Sequence, residues 1–194
     1  MKKLRNSKPI EITGEEITPS EDLKQYKKNA LEYGKTLRGK YTNKDTSKSI
    51  LLGRGKKHGG LNEVLHHDYK DIEHLQSVAA IPQIIEDSIF IDSIANEDKT
   101  KNPDIEGYDY YVVGLKINGE DYTVKAVIAN GTNVEQYYDH KLTQIEKGKL
   151  LDLSAGITSP PTNKDAPLSD YKDKRLISIL QTNFSKIIDE NGEL

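Results

Sequence analysis

Residues 108–145 read YDYYVVGLKINGEDYTVKAVIANGTNVEQYYDHKLTQI, and this stretch decides the fold. It opens with a β-rich run that reaches Ile117, turns at Asn118-Gly119, and returns to Ala129. Asn-Gly between two such runs predicts a tight hairpin, because both residues adopt positive φ at little cost. Val113, Leu115 and Ile117 alternate with Val112, Gly114 and Lys116, and Tyr122, Val124, Ala126 and Ile128 alternate on the return. Period-two alternation lets one face of the hairpin be buried. The run YYDHKLT (137–143) predicts a third strand, rich in side chains that hydrogen-bond or carry protons. Alternation along it sets Tyr138, His140 and Leu142 on one face and Tyr137, Asp139, Lys141 and Thr143 on the other, so all of them cannot serve one site.

Working outward, SIFIDSIA (88–95) predicts the strand that leads into this hairpin. Before it, residues 61–85 carry a helical pattern: Ile72, Leu75 and Ala79 lie on one stripe and His67, Asp71 and His74 on its neighbour, with Pro82 kinking or restarting the helix. Residues 49–52 predict a short strand, and Ser20 followed by Glu21 and Asp22 predicts a helix start, with Gly34 at its end. Residues 1–34 thus read as a polar arm plus one helix, 35–153 as the folded domain, and 154–194 as a C-terminal extension whose TSPPTNKDAP run (158–167) has linker composition. Helices first and consecutive strands afterwards predict an α+β fold, with N-terminal helices packed on one face of an antiparallel sheet.

Composition narrows the function. The 194 residues are 35% hydrophobic and 30% charged, with the apolar ones concentrated in the middle of the chain. A net charge of −3 argues against a protein that coats nucleic acid through a global basic field. With no cysteine, thiolate chemistry and a disulfide scaffold are excluded. No apolar run is long enough to span a membrane and no apolar region follows the basic first residues, so a cytoplasmic protein without a membrane partner is expected.

Candidate chemistry falls in three places. The loop GRGKKHGG (53–60) offers Arg54, Lys56 and Lys57 to a phosphate, or is a solvated loop. The His67–Asp71–His74 stripe suits acid–base work, a metal-dependent hydrolase, or hydrogen bonds to a neighbouring strand. His140, with Lys141 and Thr143, sits on the polar strand, where the plain alternative is a histidine facing solvent.

HHDYKDIEHLQSVAAIPQIIEDSIF, the paired strands and YYDHKLTQIEK together resemble a domain of large polyvalent proteins from phages and conjugative elements. That domain is placed among the barnase, EndoU, colicin and RelE-like nucleases, and the resemblance covers roughly residues 36–152. It implies one or two helices before a four-stranded antiparallel sheet. It also implies a metal-independent endoribonuclease that needs no cofactor and leaves 2′,3′-cyclic phosphate ends. Chemical plausibility gives His67, His74 and His140 the acid and base roles. Lys141, Thr143 and Arg54 would meet the phosphate, with Lys56 and Lys57 beside it, and Tyr138 would stack on a base. RNA is the implied partner, and an immunity or antitoxin protein a further one. The alternatives are an inactive RNA-binding or protein-interaction module and the metal-dependent hydrolase.

Overall fold

The computed structural model describes residues 7–53, 60–65, 73–97, 99–133 and 135–148. Its centre is the expected hairpin. β5 (Ile105–Ile117) pairs antiparallel with β6 (Glu120–Gly131), and Val113 lies opposite Val124. Asn118 and Gly119 both have positive φ, at 49° and 81°, which matches the right-handed twist of the strands they join.

Strands add on both sides of the hairpin. β4 (Ile89–Ala95) pairs antiparallel with the first half of β5, and β1 (Ile10–Ile12) pairs parallel with its last three residues. On the other side, β7 (Gln136–Tyr138) and β8 (Gln144–Lys147) pair antiparallel with successive parts of β6. β3 (Ser49–Leu52) runs parallel to β7, and β2 (Gly39–Thr42) pairs antiparallel with β3. The described residues therefore form an eight-stranded mixed sheet, ordered β1-β5-β6-β7-β3-β2, with β4 and β8 as the added partners.

This corrects the expected four-stranded antiparallel sheet preceded by helices. Three strands come from the N-terminal third, and two junctions, β1–β5 and β3–β7, are parallel. The third strand also differs from expectation. β7 stops at Tyr138, and a turn interrupts the run before β8. The helical layer is α1 (Leu23–Thr36), α2 (Glu73–Gln76) and α3 (Ile81–Asp87), with 3₁₀ turns over Leu61–Leu65 and Ser77–Ala80. Asp22, rather than Ser20, caps α1 by accepting from the Lys24 amide at 2.9 Å. Pro82 starts α3, where its missing amide hydrogen has no carbonyl to serve.

The layer packs on the face of the hairpin that carries Tyr111, Val113, Leu115, Tyr122, Val124 and Ile128. Ile17, Tyr26 and Ala30 belong to this same core, so the N-terminal segment is part of the domain's interior. Gln76 ties it down: its amide donates to the Ile17 carbonyl at 2.8 Å and to the Tyr26 hydroxyl, and its oxygen accepts from the Ile17 amide at 3.1 Å. Asn43, fully buried after β2, donates to the carbonyls of Ile85 and Ser88, each at 2.8 Å, and so anchors the end of α3.

Gly107 lies at the bulge in the β5–β6 pairing and close against the backbone of β4. A Cβ there would meet the Ile94 carbonyl oxygen at 2.6 Å, and that oxygen is backbone with little freedom to yield. Gly107→Ala is expected to cost about 2 kcal/mol, read as a lowered urea midpoint with an unchanged slope.

Candidate functional site

Two polar groups stand out, and both depend on the β3–β7 pair. The first lies at the carboxyl ends of those parallel strands. β7 ends at Tyr138, and residues 139–143 make one tight turn before β8 begins. The turn is fixed to β6: the Asp139 amide donates to the Val127 carbonyl at 2.9 Å, and the Val127 amide donates to Thr143 Oγ1 at 3.2 Å. The Thr143 amide and hydroxyl both donate to the Asp139 carbonyl, at 3.1 and 2.8 Å. The Leu142 amide donates to Asp139 Oδ1 at 3.1 Å. Side-chain acceptors of this kind compete with strand pairing, so Asp139 and Thr143 turn the chain where alternation predicted a strand.

Asp139 and His140 are 6% and 3% exposed, whereas Lys141 is exposed. Burial pushes the Asp139 carboxyl up to about 6. The nearby Glu63 carboxylate adds to this, while the Leu142 and Lys141 amides and the Lys141 charge oppose it. A carboxyl that titrates near neutrality can both take up and release a proton at physiological pH. The His140 ring lies 6.1 Å from the Tyr138 ring. The same place receives the end of β3: the Leu61 amide donates to the Gly53 carbonyl at 3.2 Å, so the chain returns beside the point at which it leaves the sheet. Ligands of open sheets with parallel strands bind at such carboxyl ends, where neighbouring chains diverge.

The second group is a row across five strands at the opposite end of the β3–β7 pair. Asp109 on β5, 1% exposed, is its centre. Ser93 on β4 donates to Oδ1 at 2.7 Å and Asn130 on β6 donates to Oδ1 at 2.8 Å. Gln136 on β7 donates to Oδ2 at 3.1 Å, and the Lys48 ammonium, from just before β3, lies 2.8 Å from Oδ2 and 5.9 Å above the Phe90 ring. Burial alone would raise the Asp109 carboxyl, but these donors hold it below the ordinary carboxylate range. Next to it, burial pushes the Tyr111 hydroxyl up to about 12. All four donors point at the carboxylate, so the row holds a fixed negative charge and joins five strands.

The residues singled out in the sequence are distributed as follows. His140, Lys141 and Thr143 share the turn after β7, with Asp139 as the neighbour that alternation had placed on the other face. The Thr143 hydroxyl is committed to the turn itself. The Tyr138 ring is 1% exposed and fills the core, where burial raises its hydroxyl and Thr143 bonds it. His74, 5% exposed, packs edge-on against Tyr122, with ring centres 6.4 Å apart. Tyr122 lies six residues along β6 from Ile128, the partner of Tyr138, which is about 20 Å of strand. His74 and His140 are therefore not brought together. Arg54, Lys56, Lys57, His67 and Asp71 lie outside the described residues. Among the described residues no group of three or more His, Cys, Asp or Glu side chains is placed to hold a metal, and no helix is long and apolar enough to cross a membrane. Sequence reasoning missed Glu63 beside Asp139 and the whole Asp109 row, whose members come from five separated segments with no linear motif.

Residues 21–138 match the family model described as "Large polyvalent protein-associated domain 3". No curated protein and no solved structure matches the chain.

Proposed function

Because the chain belongs to the family of large polyvalent protein-associated domain 3, we propose that it serves its parent proteins as a metal-independent endoribonuclease, with the turn after β7 as its acid–base centre. The observation that carries this reading is the Asp139 carboxyl, raised to about 6 and held in one turn with His140 and Lys141. The support is the chemistry of that turn, since fold alone does not fix function.

In this reading the Asp139 carboxylate takes the proton from a ribose 2′-hydroxyl. The 2′-oxygen then attacks the adjacent phosphorus, and the bond from phosphorus to the 5′-oxygen breaks. His140, protonated, gives its proton to the leaving 5′-oxygen, so a 2′,3′-cyclic phosphate and a free 5′-hydroxyl result. The exposed Lys141 ammonium faces charge that builds on the phosphorane oxygens. Arg54, Lys56 and Lys57, which lie outside the described residues, are assigned to neighbouring phosphates by their charge alone. Thr143 and Tyr138 act as positioning residues, the first through the turn and the second through the core.

The test is incubation of the protein with labelled RNA in EDTA. Cleavage to cyclic-phosphate ends is expected, with a loss of about 10²–10⁴-fold in His140→Ala. Cleavage only after a divalent metal is restored overturns the reading. A second reading, an RNA-binding module without turnover, is favoured by the separation of His74 from His140. Retardation of RNA without any cleavage would select it.

A further inference from the structure

We propose that Arg38 forms a phosphodiester-binding subsite beside the turn after β7, where it holds the RNA phosphate next to the one that is cleaved. The proposal rests on RNA as the partner of that turn, the reading given above. It begins with strand register. Gly39, the first residue of β2, lies opposite Leu52, the last residue of β3. Leu51 of β3 lies beside Tyr137 of β7 in parallel register, so Leu52 is level with Tyr138 and Gly53 with Asp139. Arg38, one residue before Gly39, is therefore level with Gly53 and two strands from Asp139. At the usual spacing of neighbouring strands, that is about 10 Å across the end of the sheet. Lys141, in the turn, stands at one side of this end and Arg38 at the other.

The backbone that carries Arg38 is fixed on both sides. Before it, α1 ends at Thr36, the Leu37 amide donates to the Gly34 carbonyl at 3.0 Å, and the Tyr41 hydroxyl donates to the Leu37 carbonyl. After it, β2 is paired with β3 along all four of its residues. The last turn of α1 is also tied to the chain beside the site. Gly34 packs so close to Leu61 that an added Cβ would meet that side chain at 2.9 Å, and two residues further on Glu63 lies near Asp139.

Charge then singles out Arg38. Between residues 24 and 48 the chain has eight Lys and Arg against two acids, although its net charge is −3. Four of these cations are already paired: Lys35 with Glu32, Lys40 with Glu135, Lys44 with Asp87 and Lys48 with Asp109. Arg38 is exposed and has no ion pair among the described residues. A guanidinium matches two phosphate oxygens with a fork of N–H donors and stays charged at every physiological pH. The Asp139 carboxylate by itself repels a polyanion, so a cation at this end of the sheet is what brings the RNA in.

The test measures binding and cleavage separately, with the full chain. Binding is read by fluorescence anisotropy with a labelled single-stranded 2′-O-methyl RNA, which has no free 2′-hydroxyl and is not cut, over a series of KCl concentrations. In Arg38→Ala the dissociation constant is expected to rise about tenfold, and the slope of log affinity against log salt to fall by about 0.7. Arg38→Lys should keep the slope and recover only part of the affinity, because a point charge replaces the fork. Lys24→Ala, about 20 Å away along α1, should bind like the wild type. In cleavage, Arg38→Ala should raise KM with kcat little changed, the mark of a contact made equally to substrate and transition state. Unchanged binding in Arg38→Ala overturns the subsite even where the wild type cleaves RNA. An equal loss in Arg38→Ala and Lys24→Ala also overturns it, since that marks a diffuse basic field. Weakened binding in Arg38→Ala alone, in a protein that binds RNA and does not cut it, upholds the subsite and overturns the nuclease reading. A wild type that binds no RNA at any salt concentration overturns both.

Discussion

Asp139→Asn is expected to abolish RNA cleavage while making the protein more stable at neutral pH. Loss of the base costs about 10²–10⁴-fold in rate, because the amide has no proton affinity near pH 7. The gain in stability follows from the sign of the titration shift. The folded protein holds Asp139 near 6, above its value in the unfolded chain, chiefly because burial disfavours the charged form. The protonated carboxyl is therefore the form that folding favours. Its contribution is present in full below about pH 4 and is lost as pH rises through about 6. A shift of about two pH units corresponds to at most about 3 kcal/mol. Asparagine keeps an oxygen for the Leu142 amide and carries no charge, so the variant should melt at a higher temperature than the wild type at pH 8, with the difference shrinking toward pH 4. A purely structural Asp139 leaves the cleavage rate unchanged in the variant, and the two roles separate on that measurement. In the wild type the cleavage rate should also rise through an acid limb near pH 6.

Asp109→Ala is expected to be the most destabilising single change, at about 2–4 kcal/mol by urea unfolding at pH 7. The substitution removes the acceptor shared by Ser93, Asn130, Gln136 and Lys48. The two amides lose most, because they are half-buried. Lys48 loses less, since its side chain is 45% exposed and water solvates it. The pH dependence has the opposite sign to that of Asp139. The Asp109 carboxyl is depressed in the folded state, so its contribution is present above about pH 4 and is lost as pH falls through its folded value. The wild type should lose stability in acid more steeply than Asp109→Ala, and equal slopes below pH 4 would rule out the row as an acid-labile tie.

The two positions also show what could and could not be read from the sequence. The hairpin was legible because its information is local: a turn that needs positive φ, flanked by alternating apolar residues. Ser49–Leu52 and α1 were legible for the same reason. The parallel joins of β1 to β5 and of β3 to β7 leave no local trace, since only three and two residues pair with partners far along the chain. That is why a four-stranded sheet was expected where the described residues form eight strands. The YYDHKLT run was misread as one strand because alternation ignores side chains that bond their own backbone, as Asp139 and Thr143 do. As a result Asp139 moved from the far face to a place beside His140. The Asp109 row was invisible because a register across five strands is a property of the sheet and not of any segment.

The two parallel joins also set the order in which the chain can acquire its structure. Ile10 waits for Leu115 and Ile50 waits for Gln136. During synthesis the first strands leave the ribosome without their partners and stay unsatisfied until β5 and β7 follow. The β5–β6 hairpin, closed by a two-residue turn, is the natural nucleus, and the N-terminal strands are recruited to it late. Such long-range pairing slows folding and prolongs the exposure of β3, whose sequence SILL is apolar. A nascent chain stalled before β7 is thus the form of this domain most in need of a chaperone.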